Sequence, residues 1–163
     1  MRAKLVAWGN ELIGNKCWSV TYGEGAGSVV FLGFGGMVRR GKPIANRHLT
    51  IMERYFDPQF SILVYSAWRL SKNKKIICGW RDDNSNHGEA KRFLEYLRHK
   101  RVTSIELSDD NDLKIVFEEG LVYDIFCDIT DERGHMNYHV SLGSEYLTVG
   151  VCGKITLYNA NNS

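Results

Sequence analysis

The second half of the chain constrains the fold most. Residues 102–107, 112–117, 121–127, 136–140, 146–149 and 154–158 are short runs rich in β-branched and aromatic side chains, separated by brief polar turns. Apolar and polar positions alternate within them, as a half-buried strand requires. Glu118-Glu119-Gly120 reads as a tight hairpin between two of the runs. Strands this regular and this closely spaced pair antiparallel, because a parallel pair needs a crossover of a dozen or more residues.

The first half is punctuated differently. Residues 16–22 and 28–34 read as two strands, and the glycines between them as their connection; 60–70 and 75–80 read as two more. A short helical turn is expected at 5–12 and the principal helix at 86–99, where Ala90, Phe93, Leu94 and Leu97 share a face. Residues 36–59 are basic, hold both prolines and lack a sustained period, so they read as a surface excursion with a helical turn near 49–55. Residues 159–163 read as a frayed tail. The expected fold is α+β: mainly an antiparallel β meander, built as a curved sheet, a sandwich or a half-open barrel, with one principal helix. One domain over 1–163 is expected, since no repeat and no linker interrupts it. Its core is expected to hold Trp18, Phe31, Phe34, Tyr65, Trp68, Trp80, Phe117 and Phe126.

Several chemistries are set aside by spacing. Gly23-x-Gly25-x-Gly27-Ser28 invites a phosphate, but Val29-Val30-Phe31-Leu32 continues as strand, so no helix N-terminus faces the loop. No nucleotide or other cofactor is expected there. No Cys-x-x-Cys pair exists, and His135 and His139, four apart in an expected strand, do not converge as they would on a helix, so no metal is expected. There is no Gly-x-Ser-x-Gly elbow, and the four cysteines lie in apolar or strand-like contexts that disfavour a thiolate, so they read as buried and reduced. The expectation is a non-enzymatic protein without catalytic residues.

Charge bears on partners. The net charge is +2, yet residues 1–100 carry 17 Lys+Arg against 8 Asp+Glu and residues 101–163 carry 4 against 11. Such near-balance argues against nucleic acid as partner, despite Arg39, Arg40, Lys42, Arg47 and Arg54. No apolar run spans a bilayer and the N-terminus lacks a signal-peptide pattern, so a cytoplasmic protein with no membrane partner is expected. The acidic half suggests a surface: Asp109, Asp110 and Asp112 in one turn, and Asp128, Asp131 and Glu132 in another, at the same end of a meander. These six are the candidate partner-binding residues.

A resemblance rests on the order of short motifs. Leu12-Ile13-Gly14-Asn15-Lys16-Cys17-Trp18 is followed by Gly25-Ala26-Gly27-Ser28, Phe34-Gly35, Ala67-Trp68-Arg69-Leu70 and Asp112-Leu113-Lys114-Ile115-Val116-Phe117. This succession resembles a widespread group of small bacterial proteins with the order IGK-x-W, G-x-GS, FG, WR, DL-x-x-F. The chain departs from it by the insertion at 36–59 and an extra residue in the glycine turn. The resemblance implies a small standalone protein of the kind that serves as an immunity partner in bacterial toxin systems. The implied function is neutralisation of a cognate toxin domain by protein–protein binding, with a small-ligand-binding or hydrolytic β-domain as the alternative.

Overall fold

The computed structural model describes residues 1–23, 29–85, 87–131 and 136–159. It contains eleven strands in two antiparallel sheets that do not close into a barrel. The first sheet has the order β1 (Cys17–Tyr22), β2 (Val30–Arg39), β3 (Phe56–Val64), β9 (Tyr138–Leu142), β10 (Glu145–Val149), β11 (Ile155–Asn159). The second has the order β5 (Lys75–Gly79), β4 (Trp68–Lys72), β8 (Leu121–Ile125), β7 (Leu113–Phe117), β6 (Val102–Leu107). Among the described residues there are also three α-helices, α1 (Arg2–Leu12), α2 (Ile51–Tyr55) and α3 (Glu89–Leu94), and short 3₁₀ turns.

One apolar cluster lies between the sheets, as strand alternation dictates. Val20 and Tyr22 of β1, Leu32 and Phe34 of β2, and Ile62 and Val64 of β3 face Leu70, Ile115, Phe117 and Tyr123 from the second sheet. Aromatic rings make the crossing contacts. Trp68 meets Tyr22 edge-on at 5.3 Å and Tyr123 at 5.6 Å, and Phe34 stacks on Phe117 at 6.3 Å. Trp18, Phe34, Trp68 and Phe117 are core residues as expected. Trp80 and Tyr65 are not: both are exposed, while Phe31 and Phe126 are half-buried on outward faces.

A single meander does not describe the path. The expected strand 60–70 breaks at Tyr65-Ser66-Ala67, so that β3 lies in one sheet and β4 in the other. The corner is held by Asn137, whose carbonyl accepts the N–H groups of Tyr65 and Ser66 at 2.9 and 3.0 Å. Its side chain accepts Ile129 N at 3.0 Å and donates to Gly150 O at 2.6 Å. The large majority of buried polar groups in proteins are satisfied in this way. After β8 the chain returns to the first sheet, and β9 pairs with β3.

The helices also differ from expectation. The segment expected as one helix over 86–99 is α-helical only from Glu89 to Leu94, tightens to a 3₁₀ turn at Glu95–Leu97 and ends at His99 with φ 68°. Its N-cap is Gly88, which offers no side-chain oxygen, and Asn86 lies outside the described residues. The longest helix is α1, which buries Leu5, Trp8 and Leu12 at spacings of a helical face. Gly9 lets it approach β6 closely: a Cβ there would meet Ile105 Cγ2 at 3.2 Å.

Residues 36–59 are partly strand. β2 and β3 continue beyond the sheet as a two-stranded arm, with a register shift between Phe34 and Met37 where Gly35 takes φ 76°. The bend carries Pro58 back over the outer face, where a Cβ on Gly33 would lie 2.8 Å from its ring. Only glycine fits beneath it.

Candidate functional site

The acidic residues come first. The turns 108–112 and 126–131 do emerge together beyond the ends of β6, β7 and β8. Two of the candidates are spent on the fold. Asp112 Oδ1 accepts Cys127 N at 2.7 Å, and Asp128 Oδ1 accepts Ala67 N at 3.2 Å. Asp109, Asp110 and Asp131 are exposed at the surface, and Glu132 lies outside the described residues. Arg2 sits on the same turn, donating to Ser108 O at 2.8 Å and to Asn111 Oδ1. The end is therefore acidic but carries a cation within it.

The charge polarity along the chain is also softened in space. Each sheet takes strands from both halves, so Asp124 pairs with Arg69 at 3.0 Å, Glu119 with Lys100 at 2.6 Å and Glu145 with Lys4 at 3.8 Å. Long-range steering by an acidic half has correspondingly less field behind it.

A groove of about 740 Å³ lies on the outer face of the first sheet. Strand register builds its floor: Ser61 of β3 pairs with Ser141 of β9, which pairs with Tyr146 of β10, and directly opposed residues share a face. The two serine hydroxyls hydrogen-bond each other. His139 stands beside them, with Tyr65 at 6.0 Å and Tyr146 at 6.1 Å, both near edge-on, and its Nδ1 is 3.3 Å from Met136 Sδ. Burial holds the His139 imidazole below its usual range, which favours the neutral ring. The base of the arm forms the wall, with Pro58, Gln59 and the Arg40–Asp57 ion pair at 2.6 Å. Spacing alone does not reveal this site, because Ser61 and Ser141 are brought together from opposite ends of the chain by the β3–β9 pairing.

Beyond the groove the arm is apolar and basic. Met37, Val38, Ile44, Ile51, Met52 and Tyr55 are exposed, Ile51 at 72%, among Arg39, Lys42, Arg47 and Arg54. The arm is nonetheless ordered by its backbone: Arg40 N donates to Tyr55 O and Ile44 N to Arg54 O, both at 2.9 Å. Thr50 and Glu53 form a reciprocal capping box on α2. The Thr-x-x-Glu spacing is a signal that the sequence carries.

Glu53 also anchors the arm. Its Oε1 accepts Val20 N at 3.1 Å, Ser19 Oγ at 3.0 Å and Arg98 Nη1 at 3.1 Å. Arg98 in turn donates to Trp18 O at 2.7 Å and Val20 O at 3.1 Å, and grips Glu95 with two bonds. These bonds occupy the outer edge of β1, which is an edge strand.

Three of the four cysteines are held as thiols. Burial pushes the Cys78 and Cys127 thiols up to about 12, and Cys17 higher still. Two depart from the expected burial: Cys127 is half-buried and Cys152 is exposed. Among the described residues no group of three or more His, Cys, Asp or Glu converges on a metal-sized site, and no helix is long and apolar enough to cross a membrane. Gly23 has φ 75° and packs against Asn84 O; Gly25, Gly27 and Ser28 lie outside the described residues. Compared with protein-family models, curated proteins and solved structures, the chain matches none.

Proposed function

We propose that this chain is a non-enzymatic binding protein of the immunity kind, acting in the cytoplasm by covering a cognate toxin domain. The observation that carries the reading is the arm: six large apolar side chains exposed between Met37 and Tyr55, interspersed with arginines, on a segment held rigid at its base. Met, Tyr and Arg are enriched at the centres of protein interfaces. Exposed apolar surface is costly to keep unless something covers it. Anchoring through Glu53 means that little ordering entropy is lost on binding. The exposed carboxylates of Asp109, Asp110 and Asp131 serve, in this reading, as a rim that favours encounter with a basic region of the same partner.

Affinity capture tests it. The tagged protein retains a partner in stoichiometric amount from cells of its natural host, and the double variant Ile51→Glu/Met52→Glu loses it. Expression of the captured protein alone arrests growth, and co-expression with the wild-type chain restores it. Equal capture by both forms, or a captured protein without toxicity, rules the reading out.

A further inference from the structure

The groove on the first sheet has a chemistry distinct from that of the arm. Its polar groups are hydroxyls and amides: Ser61, Ser141, Tyr146 and Gln59. Its charges cancel locally, because Arg40 is matched by Asp57 at 2.6 Å. A polyanion would need uncompensated cations along the floor, as grooves for nucleic-acid strands have. One donor is left over. Arg40 Nε is buried and has no acceptor among the described residues, an unusual state for a buried N–H and one that a ligand oxygen would relieve.

Aromatic rings complete the site. His139 of β9 and Tyr146 of β10 line the groove with their centroids 6.1 Å apart, and Tyr65, just after β3 and outside the groove lining, extends the row at 6.0 Å from His139. Phe31 lies on the same face, since it pairs with Leu63, which pairs with His139. Tyrosine presents an apolar face and a polar tip together. The groove's volume of about 740 Å³ falls within the range of small-molecule sites, roughly 300–1,000 Å³. A ligand that suits all of this is uncharged, carries many hydroxyls, and has flat C–H faces to set against rings.

We propose that the groove binds a neutral oligosaccharide, with a pyranose ring lying along Tyr146 and sugar oxygens meeting Ser61, Ser141, Gln59 and Arg40 Nε. The ligand makes no covalent bond. Ser61 and Ser141 already hold each other's hydroxyls in place, so the floor is preorganised. The proposal does not rest on the protein-binding reading of the arm: Val38 borders both, but Ile51 and Met52 lie outside the groove.

An array of neutral and anionic glycans, covering hexoses and N-acetylhexosamines in α and β linkage, tests it. At least one neutral oligosaccharide binds the full chain saturably, and calorimetry with that sugar gives the dissociation constant. Tyr146→Ala weakens it about tenfold or more, while Tyr146→Phe, which keeps the ring, stays within about threefold. Tyr146 is half-exposed, so both variants melt close to the wild type. Ile51→Glu/Met52→Glu binds the sugar normally, which separates failure of this site from failure of the protein-binding reading. No neutral glycan bound, preferential binding of anionic glycans, unchanged affinity in Tyr146→Ala, or loss of captured protein in Tyr146→Ala without any sugar binding would each overturn the assignment.

Discussion

Glu53 and Arg98 meet at 3.1 Å beneath the arm, and each also bonds the backbone of β1. The carboxylate is 5% exposed. Removing Arg98 leaves the buried Glu53 carboxylate without its counterion, whereas removing Glu53 leaves Arg98 its pair with Glu95; either change strips hydrogen bonds from an edge strand. Arg98→Met is expected to cost about 3–5 kcal/mol of unfolding free energy. Urea denaturation with both forms checks this, and a loss under about 1 kcal/mol would mean that water replaces the guanidinium freely.

The same pair sets a pH dependence. Burial pushes the Glu53 carboxyl up, but the Thr50 hydrogen bonds and the Arg98 guanidinium more than reverse that and hold it below the ordinary value of 4.5. A carboxyl depressed on folding contributes stability above its unfolded pKa, and that contribution is lost as pH falls through the native one. Stability therefore declines as pH drops below about 4.5. Glu53→Gln is less stable at neutral pH and shows a shallower decline in that window. Parallel curves for the two proteins between pH 5 and pH 2 would show that other carboxyls dominate.

Acidic residues at the end of the second sheet divide into two kinds. Asp112→Ala leaves the half-buried Cys127 N–H without its acceptor, so a loss of about 1–3 kcal/mol is expected. Asp110→Lys, at an exposed position, is expected to stay within about 0.5 kcal/mol. Thermal melts of the two variants side by side distinguish structural from surface carboxylates. If both proved equally harmless, the bond to Cys127 would be worth nothing.

Gly33 is the third structural test. Any side chain there meets Pro58 at 2.8 Å and Ser19 Cβ at 3.0 Å. Gly33→Ala must lift the arm's base away from the sheet, at a cost of about 1–3 kcal/mol. Because Pro58 and Gln59 line the groove, ligand binding should weaken in the same variant. Gly41→Ala, in open space on the arm, serves as the neutral control.

How much of this was legible in the chain differs by element. The antiparallel strands of the second half, and the helical turn at α2, follow from local pattern, because alternation and the Thr50-Glu53 spacing act over a few residues. Local signal also misled. Ala90, Phe93, Leu94 and Leu97 mark a helical face, yet the turn tightens after Leu94 and Arg98 leaves it to bond β1. Trp80 has the character of a core residue but follows the edge strand β5, where its ring stays exposed beneath the Arg81 guanidinium at 4.9 Å.

The sequence by itself determined the β-rich class, the alternation that makes one face of each strand apolar, and the surface character of residues 36–59. The local hairpins β1–β2 and β7–β8 were also legible, but tertiary structure decided the long-range pairings. The break at Tyr65-Ser66-Ala67 has no distinctive residue; it exists because Asn137, far along the chain, supplies the acceptor that its freed N–H groups need. That one corner sends β4 to the second sheet and leaves β3 beside β9. The consequence reaches the groove: Ser61, Ser141, His139 and Tyr146 are unremarkable outward-facing residues until register sets them side by side. The same interleaving brings the two oppositely charged halves together at Arg69–Asp124, Lys100–Glu119 and Lys4–Glu145, so charge that is segregated along the chain is partly paired in the folded protein.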